Sequence, residues 1–211
     1  MIKAIFWDND GVLVDTEKLY YRANKEIFNR IGIELTVEIY IEDFLKKARG
    51  TWYLAEEKGI NNEEIIWLRN ERNDLYSNLI LSELKIIEGA DETLSRLFGK
   101  FKMGVVTSSR KDHFDLIHTN SNLLKYFDFT LTSDDYIKCK PSPEPYLKAV
   151  EVAGLEKDEC IVIEDSERGL KSALSAGLKC YIIPTELSKY SNFEGAEKIL
   201  SKITDILVEL P

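Results

Sequence analysis

The first eleven residues constrain this chain more than any other part of it. An apolar run over residues 2–7 stops abruptly in Asp8-Asn9-Asp10-Gly11. A short apolar segment bounded by acids and glycine reads as a buried strand with its carboxyl end at the acids. Similar runs recur at 103–107, 127–131, 160–163 and 179–183. Between and after them lie helical patterns at 91–97, 111–119, 144–153, 168–176 and 197–208. Strands alternating with helices predict a doubly covered parallel sheet, an α/β core of Rossmann-like architecture.

One stretch breaks the alternation. Residues 16–84 contain no strand pattern and read as helices at 19–31, 37–47, 51–58 and 63–80. In the last, Ile66, Leu68, Leu75 and Leu79 recur near helical spacing, with charges between them. Gly32, Gly50 and Gly59 are the expected breaks. The expected organisation is therefore a core of residues 1–15 and 85–211 interrupted by an all-helical insertion at 16–84. A length of 211 residues, above the usual ~150-residue single domain, suits that arrangement.

Composition narrows the partners. With 28 basic and 37 acidic residues the net charge is −9, which disfavours nucleic acid and anionic membranes. The amino-terminal apolar run reaches Asp8 too soon for a signal peptide or a membrane span. Cys139, Cys160 and Cys180 share no metal-ligand spacing, which points to a reducing, cytoplasmic setting. A monomer or weak homodimer is expected.

Four polar segments fall at the ends of predicted strands, where open α/β sheets bind ligands. In Asp8-Asn9-Asp10-Gly11 an extended backbone sends both aspartates the same way. Paired carboxylates suit a nucleophile beside a general acid/base, or a hard cation such as Mg²⁺. Gly11 permits the sharp departure that follows. The acidic pair could equally be a solvated turn. Thr107-Ser108-Ser109, leading from a strand into a helix, form an anion cradle or a plain helix cap. Lys140 sits among Pro141, Pro143 and Pro145, which would stiffen its loop. A positioned ammonium neutralises phosphoryl charge, although a loop lysine is commonly a surface charge. Glu164-Asp165-Ser166 follow an apolar strand, and two acids there need compensation, which a shared metal would supply.

DGVLVDTE at 10–17, KPSPEPY at 140–146 and EDSERGLKSALSAG at 164–177 together resemble the haloacid dehalogenase superfamily of aspartate-nucleophile phosphotransferases. The likeness runs along the whole chain and is greatest to the branch of β-phosphoglucomutase and phosphoglycolate phosphatase, with a helical cap after the first motif. The resemblance implies that Asp8 is the nucleophile and Asp10 the general acid/base. It implies Mg²⁺ at Asp8, the main-chain carbonyl of Asp10 and Asp165, with Glu164 as a ligand or its supporting neighbour. Gly11, Thr107, Ser108 and Lys140 would hold the phosphoryl group of a small phosphorylated metabolite. Asn9, where an apolar residue is usual, is expected to face away from the site. Tyr20 stands where β-phosphoglucomutase carries a histidine tied to mutase function, which puts hydrolysis ahead of mutation. A phosphoaspartate receiver also uses an acidic pair, a hydroxyl residue and a lysine, but lacks the helical insertion.

Other residues draw blander expectations. His113 and His118, five apart on one predicted helix, read as surface or boundary residues. Cys160 and Cys180 read as core. Tyr40, Trp52, Tyr53 and Trp67 read as the interior of the helical insertion. Lys47 and Arg49 are its best candidates for a second substrate charge.

Overall fold

A computed structural model describes residues 1–47 and 49–210. In chain order it contains β1 Ala4–Trp7, α1 Glu17–Arg30, α2 Val37–Ile39 and, continuing from it, a π-helix Tyr40–Lys46. There follow α3 Tyr53–Glu57, α4 Asn62–Glu83, α5 Ala90–Leu97, β2 Lys102–Val106, α6 Lys111–His118 and β3 Phe129–Leu131. The remainder is α7 Glu144–Ala153, β4 Cys160–Glu164, α8 Glu167–Ser175, β5 Lys179–Ile182, β6 Lys198–Ile199 and α9 Ile206–Glu209.

The strands pair in parallel in the order β3-β2-β1-β4-β5-β6. Both faces are buried, so β1, β2 and β4 are continuous apolar runs rather than alternating ones. Ile5, Trp7, Met103, Val105, Ile161 and Ile163 enter one core, while Ala4, Phe6, Val106, Cys160 and Val162 enter the other. Strand order reverses at β1, whose neighbours β2 and β4 run off to opposite sides. That reversal opens a crevice at the carboxyl ends of the strands. Residues 197–208 depart from the expected helix. Lys198–Ile199 add an edge strand beside β5, and only Ile206–Glu209 are α-helical. Sheet pairing with Tyr181 and Ile182 outweighs local helical preference there.

The α1–α4 segment packs round its own apolar cluster, including Ile27, Phe28, Tyr40, Trp52, Ile65 and Leu68. The chain enters and leaves it through two paired connectors: Asp15 N donates to Lys85 O, and Ile87 N to Leu13 O. Tyr76 and Ile80 of α4 join Val14 and Ile117 in a further cluster that seats the helices on the sheet domain. The helix expected at 37–47 is largely π-helical, and α4 extends to Glu83 with Asn61 capping its first turn. The buried face of α4 is Ile65, Leu68, Arg72, Tyr76 and Ile80. Ile66, expected on that face, is 59% exposed, and Trp67, expected inside, is 58% exposed. The helix is apolar on more than one side, so periodicity alone does not choose its inner face. Cys160 and Cys180 are buried as expected.

Candidate active site

β1 delivers Asp8 to the crevice, and the ladder continues one residue past it, Asp8 N donating to Ile163 O at 2.9 Å. The chain then turns back tightly, with Leu13 N and Val14 N both donating to Asn9 O. Gly11 takes φ +85° in this turn, and a Cβ there would lie 2.3 Å from Asp165 Oδ2. Glycine is therefore required twice, for the backbone angle and for the close approach.

β4 delivers Glu164 and Asp165. Asp8, Glu164 and Asp165 offer carboxylate oxygens that all lie within 4.8 Å of one another, and all three residues are buried. Lys140 comes from the loop before α7 and is 5% exposed. Its Nζ donates to Asp8 Oδ1 at 2.7 Å, Glu164 Oε1 at 2.6 Å and Val106 O at 2.8 Å. Tyr146 Oη also donates to Glu164 Oε1, at 2.7 Å, and Ser166 Oγ to Oε2, at 3.2 Å. α8 passes so close to Glu164 that a Cβ on Gly169 would sit 1.9 Å from its Cδ.

One ammonium among three acids leaves the cluster short of positive charge. Burial, reinforced by Glu164, pushes Asp8 up to about 7 against the pull of Lys140. Burial also drives Asp165 well above the usual carboxylate range, with Asp8 and Glu164 adding to it. Burial opposes the Lys140 ammonium, yet Asp8 and Glu164 outweigh it and raise its pKa. Clustered oxygens starved of counter-charge are a donor set that fits a hard divalent cation.

Asp10 is held by hydroxyls: Thr16 Oγ1 donates to Oδ1, while Thr107 Oγ1 (3.0 Å) and Ser109 Oγ (2.8 Å) donate to Oδ2. Thr107, expected on the phosphoryl group, thus bonds Asp10 here, and Ser109 joins it. Ser108 Oγ is buried, lines the crevice and has no hydrogen-bond partner among the described residues. Arg110, not a serine, is the N-cap position of α6.

Asp8, Asp10, Thr107, Ser108 and Lys140 line one cavity of about 130 Å³. Its opposite wall comes from the helical insertion and includes Tyr20, Phe44, Arg72 and Tyr76. Glu17, Arg110, His113 and Arg168 also line it, and the sequence reading gave none of them a part in the site. Glu17 accepts a bond from Tyr40 Oη, and burial raises its pKa. Arg168 lies 5.1 Å over the Phe44 ring. Lys47 and Arg49, the expected cationic candidates, do not line the cavity. Lys47 pairs with Asp43 at 3.1 Å, and Arg49 stacks 3.7 Å over Tyr53.

Both histidines depart from expectation by being buried. His118 sets Nε2 2.8 Å from Asn9 Oδ1 and Nδ1 2.7 Å from Ser121 Oγ. Asn9 does not line the crevice: its Oδ1 meets His118, while its Nδ2 donates to Asp10 Oδ2 at 3.4 Å. The signal was available: a buried amide in the turn after Asp8 needs a polar partner.

A parallel sheet with clustered acids, a lysine and a hydroxyl at its switch point is the arrangement of an α/β enzyme that binds its ligand at the carboxyl ends of the strands. The family described as "Haloacid dehalogenase-like hydrolase" matches residues 5–183, and the chain belongs to it. The Bacillus subtilis protein named "Putative phosphatase YhcW" is 32% identical over 100% of this chain and 96% of its own length. The 6-phosphogluconate phosphatase of Escherichia coli is 30% identical over 85% of this chain and 81% of its own. The crystal structure of CbbY from Rhodobacter sphaeroides in complex with phosphate shares the fold, with TM-score 0.82, 23% identity, and coverage of 98% and 96% of the two chains. By class the protein is a phosphoric monoester hydrolase of this family.

Proposed function

We propose that the protein is a Mg²⁺-dependent phosphatase that hydrolyses a small phosphorylated metabolite through an aspartyl-phosphate on Asp8. The observation that carries this reading is the Lys140 ammonium 2.7 Å from Asp8 Oδ1, inside a buried triad of carboxylates. No protein donor among the described residues reaches Asp8 Oδ2, so that carboxylate is restrained but not consumed.

Asp8, the main-chain carbonyl of Asp10 and Asp165 would hold the cation. Glu164 spends both oxygens on protein donors, which favours its role as the anchor of Lys140. Bound there, Mg²⁺ supplies the positive charge that lets an anionic carboxylate approach an anionic phosphate. Asp8 attacks phosphorus in line, forming one P–O bond as the ester P–O bond breaks. Asp10 gives its proton to the departing oxygen, then takes one from the water that attacks the aspartyl-phosphate. Inorganic phosphate leaves and Asp8 is regenerated. Lys140, Ser108 Oγ and the main chain of the turn at Gly11 receive the phosphoryl oxygens. Thr107 and Ser109 orient Asp10. Residues 16–84 act as a cap that excludes bulk water.

Tyr20 favours water over sugar as the acceptor of the phosphoryl group. It is hydrogen-bonded by Arg72 and packed edge-on against Tyr76, so it offers no imidazole for proton transfer. The three free thiols support a cytoplasmic setting, and no described helix is long and apolar enough to cross a membrane. A monomer or weak homodimer acting on a small metabolite completes the reading.

The test is release of inorganic phosphate from p-nitrophenyl phosphate with Mg²⁺. Activity is expected in the wild type, its loss in EDTA, and its restoration by Mg²⁺. Full activity in Asp8→Asn would overturn the assignment of the nucleophile. With β-glucose 1-phosphate, a glucose 6-phosphate product instead of free phosphate would make the protein a mutase.

A further inference from the structure

The cavity wall facing Asp8 contains an arginine with no acidic partner among the described residues. Arg72, at the middle of the inward face of α4, is 8% exposed. Its Nη1 donates to Tyr20 Oη at 2.6 Å and Asn24 Oδ1 at 2.9 Å, and its Nε to Asn73 Oδ1 at 3.0 Å. All three acceptors are neutral. Among the described residues no carboxylate comes within salt-bridge range of the guanidinium, and Nη2 has no acceptor. A permanent cation buried beside neutral partners is costly unless something else brings the charge.

His113 stands across the same cavity, on α6. It is 6% exposed and packs edge-on against Tyr76, with ring centroids 5.0 Å apart. Neither ring nitrogen has a partner among the described residues. Arg72 belongs to the helical insertion and His113 to the sheet domain, so a group touching both would span the two. A shallow groove continues outward from this point past Arg69, Ile66 and Trp52, sharing Tyr20, Arg72 and Arg110 with the inner cavity.

We infer that Arg72 and His113 form a receptor for a second acidic group on the substrate, carried by the leaving alcohol. The substrate class is then a phosphate monoester with a further carboxylate or phosphate, and both residues set specificity rather than perform the chemistry. The inference rests on the phosphatase reading of the site. Arg72 supplies the charge and two unspent N–H donors of Nη2, and His113 supplies one N–H donor. An acidic leaving group satisfies the guanidinium, whereas a neutral one leaves it as unpaired as in the free enzyme.

The experiment compares kcat/KM within two matched pairs of esters, with p-nitrophenyl phosphate as reference. One pair is 3-phosphoglycerate against glycerol 3-phosphate, the other fructose 1,6-bisphosphate against fructose 1-phosphate. The wild type is expected to prefer the acidic member of at least one pair by about tenfold or more. A preference in the first pair marks a carboxylate, in the second a phosphate. In Arg72→Gln that ratio should fall toward unity, the change residing in KM, and Arg72→Lys should restore part of it. His113→Phe should lower the same ratio by a smaller factor. Because each ratio is internal to one protein, a partly unfolded preparation does not alter it. Turnover without preference in the wild type, or an unchanged ratio in Arg72→Gln, overturns the inference alone. Absence of turnover on every ester, p-nitrophenyl phosphate included, overturns the phosphatase reading and this inference with it.

Discussion

Lys140 Nζ bonds Asp8 Oδ1 and Glu164 Oε1 at 2.7 and 2.6 Å, joining three segments of the chain at one buried point. Its carbonyl bond to Val106 ties the same ammonium to the end of β2. Lys140→Met is expected to cut kcat on p-nitrophenyl phosphate by about 100-fold or more, as loss of a preorganised charge does. It should also destabilise the fold by about 3–5 kcal/mol in EDTA, since two buried acids, Asp8 and Glu164, lose their shared cation. Denaturant titrations with and without Mg²⁺ check this, and Mg²⁺ should recover part of the loss.

Asp8→Asn keeps the shape of the proposed nucleophile and removes its charge. Phosphate release should fall by about 1,000-fold or more, the scale seen when an essential catalytic group is removed. The variant should hold its fold, because removing one of three crowded carboxylates relieves repulsion. Steady-state assay together with a thermal melt separates the two effects.

Gly11→Ala tests the close approach at the turn. The residue sits at φ +85° and its Cβ would meet Asp165 Oδ2 at 2.3 Å. Backbone strain alone should cost about 1 kcal/mol. Displacement of Asp165 should also weaken Mg²⁺, raising the concentration needed for half-maximal activity. A Mg²⁺ titration of the variant at fixed substrate measures it.

His118 makes stability depend on pH. Burial holds its imidazole down at about 4, below the usual 6.5. Between those values the folded protein binds fewer protons than the unfolded chain, so stability rises with pH across the window and is lost as pH falls through it. The contribution is complete above about 6.5 and steepest at ~1.4 kcal/mol per pH unit. His118→Gln should flatten that slope. Paired unfolding curves of the two proteins at pH 4, 5, 6 and 7 show it as a gap that closes toward the acid end.

Much of the candidate site was readable along the chain. Acids at 8, 10, 164 and 165 and the hydroxyl at 107 end apolar runs, and buried parallel strands present their carboxyl termini on one side of the sheet. Lys140 is legible only through its motif, since a lysine in a loop carries no local sign of being 5% exposed. His113 was misjudged because it packs against Tyr76 of α4, and His118 because it meets Asn9 beyond β1, both partners distant in sequence. Arg72 was passed over for Lys47 and Arg49 because charge in a helix is read as solvent-facing until its neighbours are known.

Local chemistry written in the residue order determined the alternating strands and helices, the helical interruption after β1, the glycine turn at Gly11 and the placing of acids at the strand ends. These follow from side-chain period, backbone freedom and the cost of burying acids, which act over a few residues. Tertiary structure decided which side of α4 faces inward, that residues 197–208 give an edge strand before a short helix, and that Thr107 serves Asp10. Those outcomes depend on partners distant in sequence, and burial energy summed across such contacts exceeds the small intrinsic preference of any one segment.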